Sequence, residues 1–249
     1  IKRGIKFVNI PTTLLAQVDS SIGGKTGVNS KYGKNLIGTF YQPDLVLSDI
    51  SILRSLPKKE VICGYAEILK HSLILNKKLF MWLLNNGNKI INLKNDTLMQ
   101  KAIYASCKIK AKIITKDENE NNLRAILNFG HTFAHAFETT SKFPKIINHG
   151  EAVLMGMICA LEFAYQNKLL KHQELMMVKK HYRELNLQSD IKKYFKKKDI
   201  NKIIKYMKSD KKNFNENINL VLLKKIGNKP TLIDFSKNKL KVFLADKFS

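Results

Sequence analysis

The stretch that decides the interpretation of this sequence runs from Leu123 to His135 and reads LRAILNFGHTFAH. A short loop later it is followed by NHGE at positions 148–151. Three of the chain's six histidines, His131, His135 and His149, fall within this one segment. Histidines at i and i+4 project from one face of a helix, so a helix here would place His131 beside His135. The spacing suits a metal ion, or one metal ligand paired with an acid or base.

Polar side chains in this segment converge on one side. Arg124 and Asn128 precede the histidines at i and i+4, and the apolar residues leave a separate face for the core. Two interpretations remain open from the residues alone. The pair is either two partly buried side chains of an ordinary helix, or two members of a site in which His149 and a carboxylate would complete the ligand set.

Glu67 is a candidate for that carboxylate. It lies in GYAEILKH, residues 64–71, on a helix predicted over 58–75. Lys70 stands three residues later on the same face, so a solvated ion pair between the two is the alternative interpretation.

The composition excludes several classes of protein. The 249 residues carry a net charge of +24, from 44 Lys and Arg against 20 Asp and Glu. Lysine dominates and arginine is sparse, which argues against a nucleic-acid partner. Most of the lysines are instead expected at surface positions that tolerate many residue types. There is no apolar run of roughly 20 residues and no signal-peptide pattern, so we expect no membrane partner and a cytoplasmic location. The three cysteines lack any C-x-x-C spacing, which argues against disulfides and thiolate zinc sites.

The pattern along the chain changes at Pro57. Before it we predict a buried strand over 5–10, a helix over 14–20 and a strand over 45–49. Beyond it the chain is predicted to be mainly helical, over 58–75, 78–85, 97–115, 128–141, 150–168 and 172–185. A hairpin is predicted over 218–224 and 231–235. Because the chain starts in a strand without a methionine, we expect it to continue a longer protein.

A glycine-rich turn lies at Gly23-Gly24-Lys25-Thr26, and a second basic turn is predicted at 33–35. The first turn is not a nucleotide-triphosphate loop, because the G-x-x-x-x-G-K-[ST] pattern would need glycine where the chain has Asp19. A plain turn, or an anion-binding loop that uses Lys25 and backbone amides, both fit the residues.

Five motifs in this order resemble the 3-dehydroquinate synthase family of metal- and NAD-dependent cyclases. They are PTTLLAQVDSSIGGKTG at 11–27, GKNLIGTF at 33–40, GYAEILK at 64–70, NFGHTFAH at 128–135 and HGEAV at 149–153. The resemblance implies an α/β-plus-helical fold. Residues 1–57 would be the C-terminal part of an NAD-binding α/β domain, and residues 58–249 a mainly helical domain that binds metal and substrate.

The resemblance also implies an activity. Such an enzyme converts 3-deoxy-arabino-heptulosonate 7-phosphate to 3-dehydroquinate and phosphate, in the shikimate pathway of aromatic amino acid biosynthesis. It uses NAD and one zinc or cobalt ion, and we expect a homodimer.

Individual residues match the family's functional positions, and their roles are carried over as implied by the resemblance. The metal ligands would be Glu67, His131 and His149. Catalytic roles fall to Lys25, Glu120 and His135, and NAD contacts to Thr12, Thr13 and Lys34. The substrate contacts would be Arg3, Asp19, Lys25, Asn35, Lys70, Lys110, Arg124, Asn128 and Lys211.

Rival functions make different predictions. Other sugar-phosphate cyclases and metal-dependent polyol dehydrogenases share the broad architecture, but a dehydrogenase would release NADH in bulk. The dense set of cations favours a doubly anionic substrate over a neutral polyol. A basic nucleic-acid-binding protein, and a chain that keeps only its metal site, are more distant alternatives.

Overall fold

The computed structural model describes residues 5–30, 33–118, 120, 123–141, 146–208 and 217–248. The chain divides into two compact units. Unit 1 comprises residues 1–68 and 89–124, and unit 2 comprises residues 69–88 and 125–249. Among the described residues, no helix combines the length and the apolar character needed to cross a membrane. The division of the chain at Pro57 into two functional domains stays a prediction.

Short strands lie early in the chain, long helices follow them, and two further strands lie near the C-terminal end. The strands are β1 (Val8–Asn9), β2 (Val28–Ser30), β3 (Gly33–Ile37), β4 (Leu45–Val46), β5 (Asn217–Leu222) and β6 (Thr231–Ser236). The helices are α1 (Lys58–Leu75), α2 (Lys77–Ile91), α3 (Asp96–Ile114), α4 (His131–Thr140), α5 (His149–Gln166), α6 (His172–Glu184), α7 (Ile200–Lys208) and α8 (Lys237–Asp246). A π-helix covers Ala16–Ser20, and 3-10 turns cover Ser51–Ser55, Leu123–Asn128, Ile191–Lys193 and Lys197–Asp199.

The strands of unit 1 form two small sheets. β1 pairs in parallel with β4, and β2 pairs antiparallel with β3. The predicted buried strand over 5–10 is wrong in length and burial, because only Val8–Asn9 is strand and Val8 is 52% exposed. The reason is that β1 and β4 form a sheet of two strands among the described residues, which leaves Val8 and Leu45 about half exposed. The predicted turn at 33–35 is also wrong, since these residues lie in β3, where Gly33 pairs with Ser30 of β2.

Unit 1 is built around the helix that starts near Leu14. Its π-helical part packs on α3, and the Cys107 thiol donates to the Gln17 carbonyl oxygen at 3.2 Å. A Cβ at Gly64 of α1 would lie 2.5 Å from the Leu15 amide nitrogen, so the absent side chain lets the two backbones meet. The sequence predicted this helix correctly over 14–20, but not its π-type turn.

Unit 2 has α4 and α5 at its centre. α5 is buried on almost every face, in keeping with its apolar sequence. A Cβ on Gly156 of α5 would lie 2.2 Å from the Gly130 carbonyl oxygen, so glycine is required for this close helix contact. The predicted helix over 128–141 starts three residues late, at His131. Gly130 has φ 78°, a left-handed conformation that separates α4 from the 3-10 turn holding Asn128.

The C-terminal hairpin is confirmed. β5 and β6 pair antiparallel from Asn217 with Ser236 to Leu222 with Thr231. Phe163 of α5 contacts the ring of Phe235 edge-on, with centroids 4.8 Å apart, so the hairpin covers the end of the core helix.

Candidate metal centre

The first turn of α4 carries two histidines on one face. The ring centroids of His131 and His135 are 5.4 Å apart, at 87° to each other, as their i, i+4 spacing predicted. The Nδ1 atom of His131 lies 3.2 Å from the Phe129 carbonyl oxygen. A carbonyl only accepts hydrogen bonds, so Nδ1 carries the proton and Nε2 carries the lone pair of the neutral ring.

His149 is the first residue of α5, and its position is fixed by an N-terminal capping box. The Asn148 side chain accepts from the Glu151 amide at 2.8 Å, and the Glu151 carboxylate accepts from the Asn148 amide at 3.0 Å. The Tyr194 hydroxyl donates to the same carboxylate at 2.9 Å. These bonds hold the start of the helix, and therefore the Cα of His149, in one place.

The rings of His131 and His149 come together within unit 2. Their centroids are 5.7 Å apart, and one ring nitrogen of each lies within 4.8 Å of the other. The Nδ1 atom of His149 lies 3.0 Å from Oε1 of Glu138, which again puts the lone pair on Nε2. Metal-binding histidines in proteins usually make this kind of bond through their second nitrogen. The donor set therefore fits one shared divalent ion.

Glu67 and Lys70 lie on α1 and are both buried, Glu67 completely. Exposed positions would be expected for a solvated pair on a helix surface, so that alternative interpretation is excluded. A buried carboxylate needs hydrogen bonds, a cation or a metal ion to offset its desolvation. The sequence predicts Glu67 as a metal ligand. Its burial is consistent with that role, and the assignment stays a prediction.

Unit 1 contains Asp19, Lys25, Lys110 and Arg124, which the resemblance assigned to substrate. Lys110 is buried and donates to the Asp19 carboxylate at 2.6 Å and to the Asp19 carbonyl oxygen at 2.5 Å. Lys25 forms an ion pair with Glu120, whose backbone has φ 58°. This pair joins the glycine-rich turn to the segment after α3.

The Arg124 side chain contacts a different set of groups in unit 1. Its guanidinium donates to the Glu118 carbonyl oxygen at 2.6 Å and to the Gly23 carbonyl oxygen at 3.2 Å. It also lies over the Phe40 ring, 5.9 Å from the centroid. Arg124 thus fixes the glycine-rich turn that presents Lys25, a role that the sequence did not indicate.

The remaining predicted residues are less informative. The Thr13 hydroxyl accepts from the Ala16 amide at 3.1 Å and so caps the first helix, while the Thr12 side chain is exposed. Lys34 and Asn35 lie in β3, and the structure describes only their backbone. Arg3 and Lys211 lie outside the described residues.

Sequence reasoning overlooked Glu138, Glu151 and Tyr194. The N-x-x-E pattern before α5 was a visible capping signal. Glu138 follows His131 by seven residues, a spacing that returns to the same helix face, but an acid in that position has many uses. Nothing local pointed to Tyr194, which lies 43 residues from its partner.

Two family models match this chain. The one described as 3-dehydroquinate synthase N-terminal matches residues 1–63, and the one described as 3-dehydroquinate synthase C-terminal matches residues 64–213. The chain belongs to the 3-dehydroquinate synthase family. The resemblance drawn from the five motifs is confirmed.

Individual relatives agree with that assignment. The chain is 57% identical over 243 residues to 3-dehydroquinate synthase of Pelagibacter ubique, covering 98% of this chain and 66% of the relative. It is 40% identical over 251 residues to the Bartonella quintana enzyme of the same name, covering 100% of this chain and 66% of the relative. The chain thus spans just under two thirds of the length of these relatives.

Solved structures share the fold. 2-Epi-5-epi-valiolone synthase from Streptomyces hygroscopicus, with NAD⁺ and Zn²⁺ bound, matches with a TM-score of 0.87 and 26% identity, over 99% of this chain and 67% of that one. 2-Deoxy-scyllo-inosose synthase, complexed with carbaglucose-6-phosphate, NAD⁺ and Co²⁺, matches with a TM-score of 0.83 and 30% identity, over 98% and 67%. The predicted fold class of the family is confirmed.

Proposed function

We propose that the protein is a 3-dehydroquinate synthase, which converts 3-deoxy-arabino-heptulosonate 7-phosphate to 3-dehydroquinate and phosphate. The observation that carries this proposal is the pair His131 and His149, each with Nδ1 bonded to an acceptor and Nε2 carrying the lone pair. Membership of the family supplies the reaction, and the pair supplies a reason for the family's metal requirement. We also propose a cytoplasmic location and a homodimer, as the resemblance to the family implies.

The proposed metal ligands are Glu67, His131 and His149, with zinc or cobalt as the ion. Two imidazoles and one carboxylate leave positions open for substrate oxygens, as catalytic zinc sites do. The proposed NAD contacts are Thr12, Thr13 and Lys34. The Thr13 hydroxyl accepts from the Ala16 amide and keeps its own hydrogen to donate. When bound, NAD supplies a hydride acceptor restored within each turnover, and the metal ion supplies a Lewis acid.

The substrate carries a carboxylate and a phosphate, and basic side chains are needed to bind both. We assign this role to Lys25, Lys70, Lys110 and Arg124, with Asp19 and Asn128 as hydrogen-bonding groups for hydroxyls. Arg3, Asn35 and Lys211 are assigned on the family pattern alone. Lys70 and Lys110 are buried, and a buried ammonium attracts an anion more strongly than a solvated one.

Proton transfer is assigned to Glu120 and His135. The Glu120 carboxylate pairs with the Lys25 ammonium, and a carboxylate beside the reacting atoms can accept a proton. His135 is exposed on α4, one turn beyond His131, and its ring can exchange protons with solvent. Lys25 would at the same time offset the negative charge of the substrate or of the departing phosphate.

Phosphate release tests the proposal. The protein is incubated with 3-deoxy-arabino-heptulosonate 7-phosphate, NAD and zinc or cobalt, beside His131→Ala and a control, His172→Ala, which removes an exposed histidine on α6. We expect phosphate release without net NADH, lost with chelator or His131→Ala and kept in His172→Ala. Intact substrate phosphate, with NADH formed from polyols instead, would show a dehydrogenase and refute the proposal.

A further inference from the structure

Glu138 lies in the last turn of α4 and contacts a proposed metal ligand that is not on its own helix. Its Oε1 atom is 3.0 Å from Nδ1 of His149, and its side chain is 8% exposed against 25% for the histidine. Burying a carboxylate costs free energy, which hydrogen bonds such as this one offset. The bond to His149 gives this buried carboxylate a specific partner at the candidate metal centre.

The bond decides which nitrogen of His149 can bind a metal ion. A carboxylate only accepts, so it stabilises the tautomer with the proton on Nδ1. The ring is then held with its Nε2 lone pair directed away from Glu138. Loss of the acceptor would let the ring rotate and would mix the two tautomers, in one of which Nε2 carries the proton and cannot bind a metal ion.

The two histidines are held by acceptors of different strength. His131 donates to a neutral backbone carbonyl at 3.2 Å, whereas His149 donates to a carboxylate at 3.0 Å. A charged acceptor makes the stronger hydrogen bond and raises the basicity of the opposite nitrogen. The Glu138 carboxylate contacts the first residue of α5. The N-terminus of a helix stabilises a nearby negative charge, so α5 favours a carboxylate at this position.

We propose that Glu138 is the positioning residue of the metal centre, which fixes the tautomer and the ring orientation of His149 without touching the metal ion. The inference rests on the proposed function, since it takes His149 to be a ligand. Carboxylates that bond to metal-binding histidines commonly contribute 10- to 100-fold to metal affinity. Glu138 is assigned that contribution here.

A cobalt titration of the metal-free chain measures the contribution. The dissociation constant is compared between the native chain, Glu138→Ala and Glu138→Gln. Ser141→Ala is the matched control, because the Ser141 hydroxyl donates to the Glu138 backbone carbonyl at 3.0 Å and not to its carboxylate. We expect about 10- to 100-fold weaker binding for the alanine variant and a smaller loss for glutamine, whose amide oxygen still accepts. Ser141→Ala should bind as the native chain does.

Nitrogen NMR of the metal-free, ¹⁵N-histidine-labelled chain tests the same claim without metal. We expect His149 protonated on Nδ1 in the native chain and in Ser141→Ala, and a mixture of tautomers in Glu138→Ala. If the alanine variant does not fold, Glu138→Met, which keeps the length of the side chain but has no oxygen to accept the hydrogen bond, replaces it in both measurements.

The outcomes separate the two proposals. Native chain that binds no cobalt, with His149 still held as the Nδ1–H tautomer, would refute the metal site but not the positioning by Glu138. A folded Glu138→Ala or Glu138→Met chain that binds cobalt within twofold of the native chain, or that keeps the native tautomer, would overturn the role of Glu138.

Discussion

The contact between α4 and α5 predicts the effect of a single added methyl group. In Gly156→Ala the new Cβ would lie 2.2 Å from the Gly130 carbonyl oxygen and 3.0 Å from the Ala134 amide nitrogen. Both neighbours are backbone atoms, so no side-chain rotation can relieve the clash. Real Cβ contacts are essentially never shorter than 3.0 Å, so the two helices must separate by about 0.8 Å, from 3.0 minus 2.2 Å.

The free-energy cost follows from that separation. Overpacking a core by one methyl group costs about 1–3 kcal/mol, and alanine returns up to about 1 kcal/mol of helix propensity. We expect a net loss of about 1–2 kcal/mol, which lowers the unfolding midpoint by roughly 2–8 °C in a chain of this length. The same displacement moves His131 relative to His149, so metal binding should weaken too.

Thermal unfolding of the metal-free chain is the assay, with Asn85→Ala as the control. Asn85 is exposed inside α2, where alanine should raise the midpoint through helix propensity. The reasoning is refuted if Gly156→Ala is as stable as the native chain, or if both alanine variants gain stability equally.

Three further predictions concern groups in the core and at its edge. Burial lowers the pKa of His181 to about 4 from 6.5, so the unfolded chain binds more protons between these values. Stability should therefore fall by about 3 kcal/mol as the pH drops from 6.5 to 4, and urea midpoints should show a flatter pH profile for His181→Gln. Burial raises the pKa of Cys107 to about 11 and that of Cys159 to about 12. At pH 8, these two thiols should therefore react with iodoacetamide far more slowly in the native chain than in the denatured chain. Equal rates would contradict the burial of the thiols. Tyr194→Phe removes the hydrogen bond to Glu151 and should cost about 1–2 kcal/mol in urea unfolding, whereas an unchanged midpoint would show that this bond does not hold the start of α5.

Local patterns predicted the parts of the fold that depend on local physics. The spacing of His131 and His135 placed two rings on one face, because that face is set by helix geometry alone. The hairpin was predicted from two apolar runs joined by a glycine- and proline-containing turn, and β5 and β6 form it by antiparallel pairing. The helix starts were less accurate where backbone geometry intervened, as at Gly130, whose left-handed φ ends the 3-10 turn before α4.

Long-range pairing could not be predicted in the same way. The bond between Glu138 and His149 joins two helices across a loop, and no periodicity reports such a contact. The hydrogen bond from Arg124 to Gly23 spans 101 residues, so the role of Arg124 in shaping the glycine-rich turn could only emerge from the fold. The exposed β1 shows the opposite error, because an apolar run was taken as buried although burial depends on neighbouring strands.

The metal centre is tested most directly by dialysing the chain, first stripped of metal, to equilibrium against zinc and then measuring its zinc content. We predict one zinc ion per native chain and per His172→Ala chain, and a loss of bound zinc in His131→Ala, His149→Ala and Glu67→Gln. One zinc ion retained by both His131→Ala and His149→Ala would contradict the metal centre on which the proposed function depends.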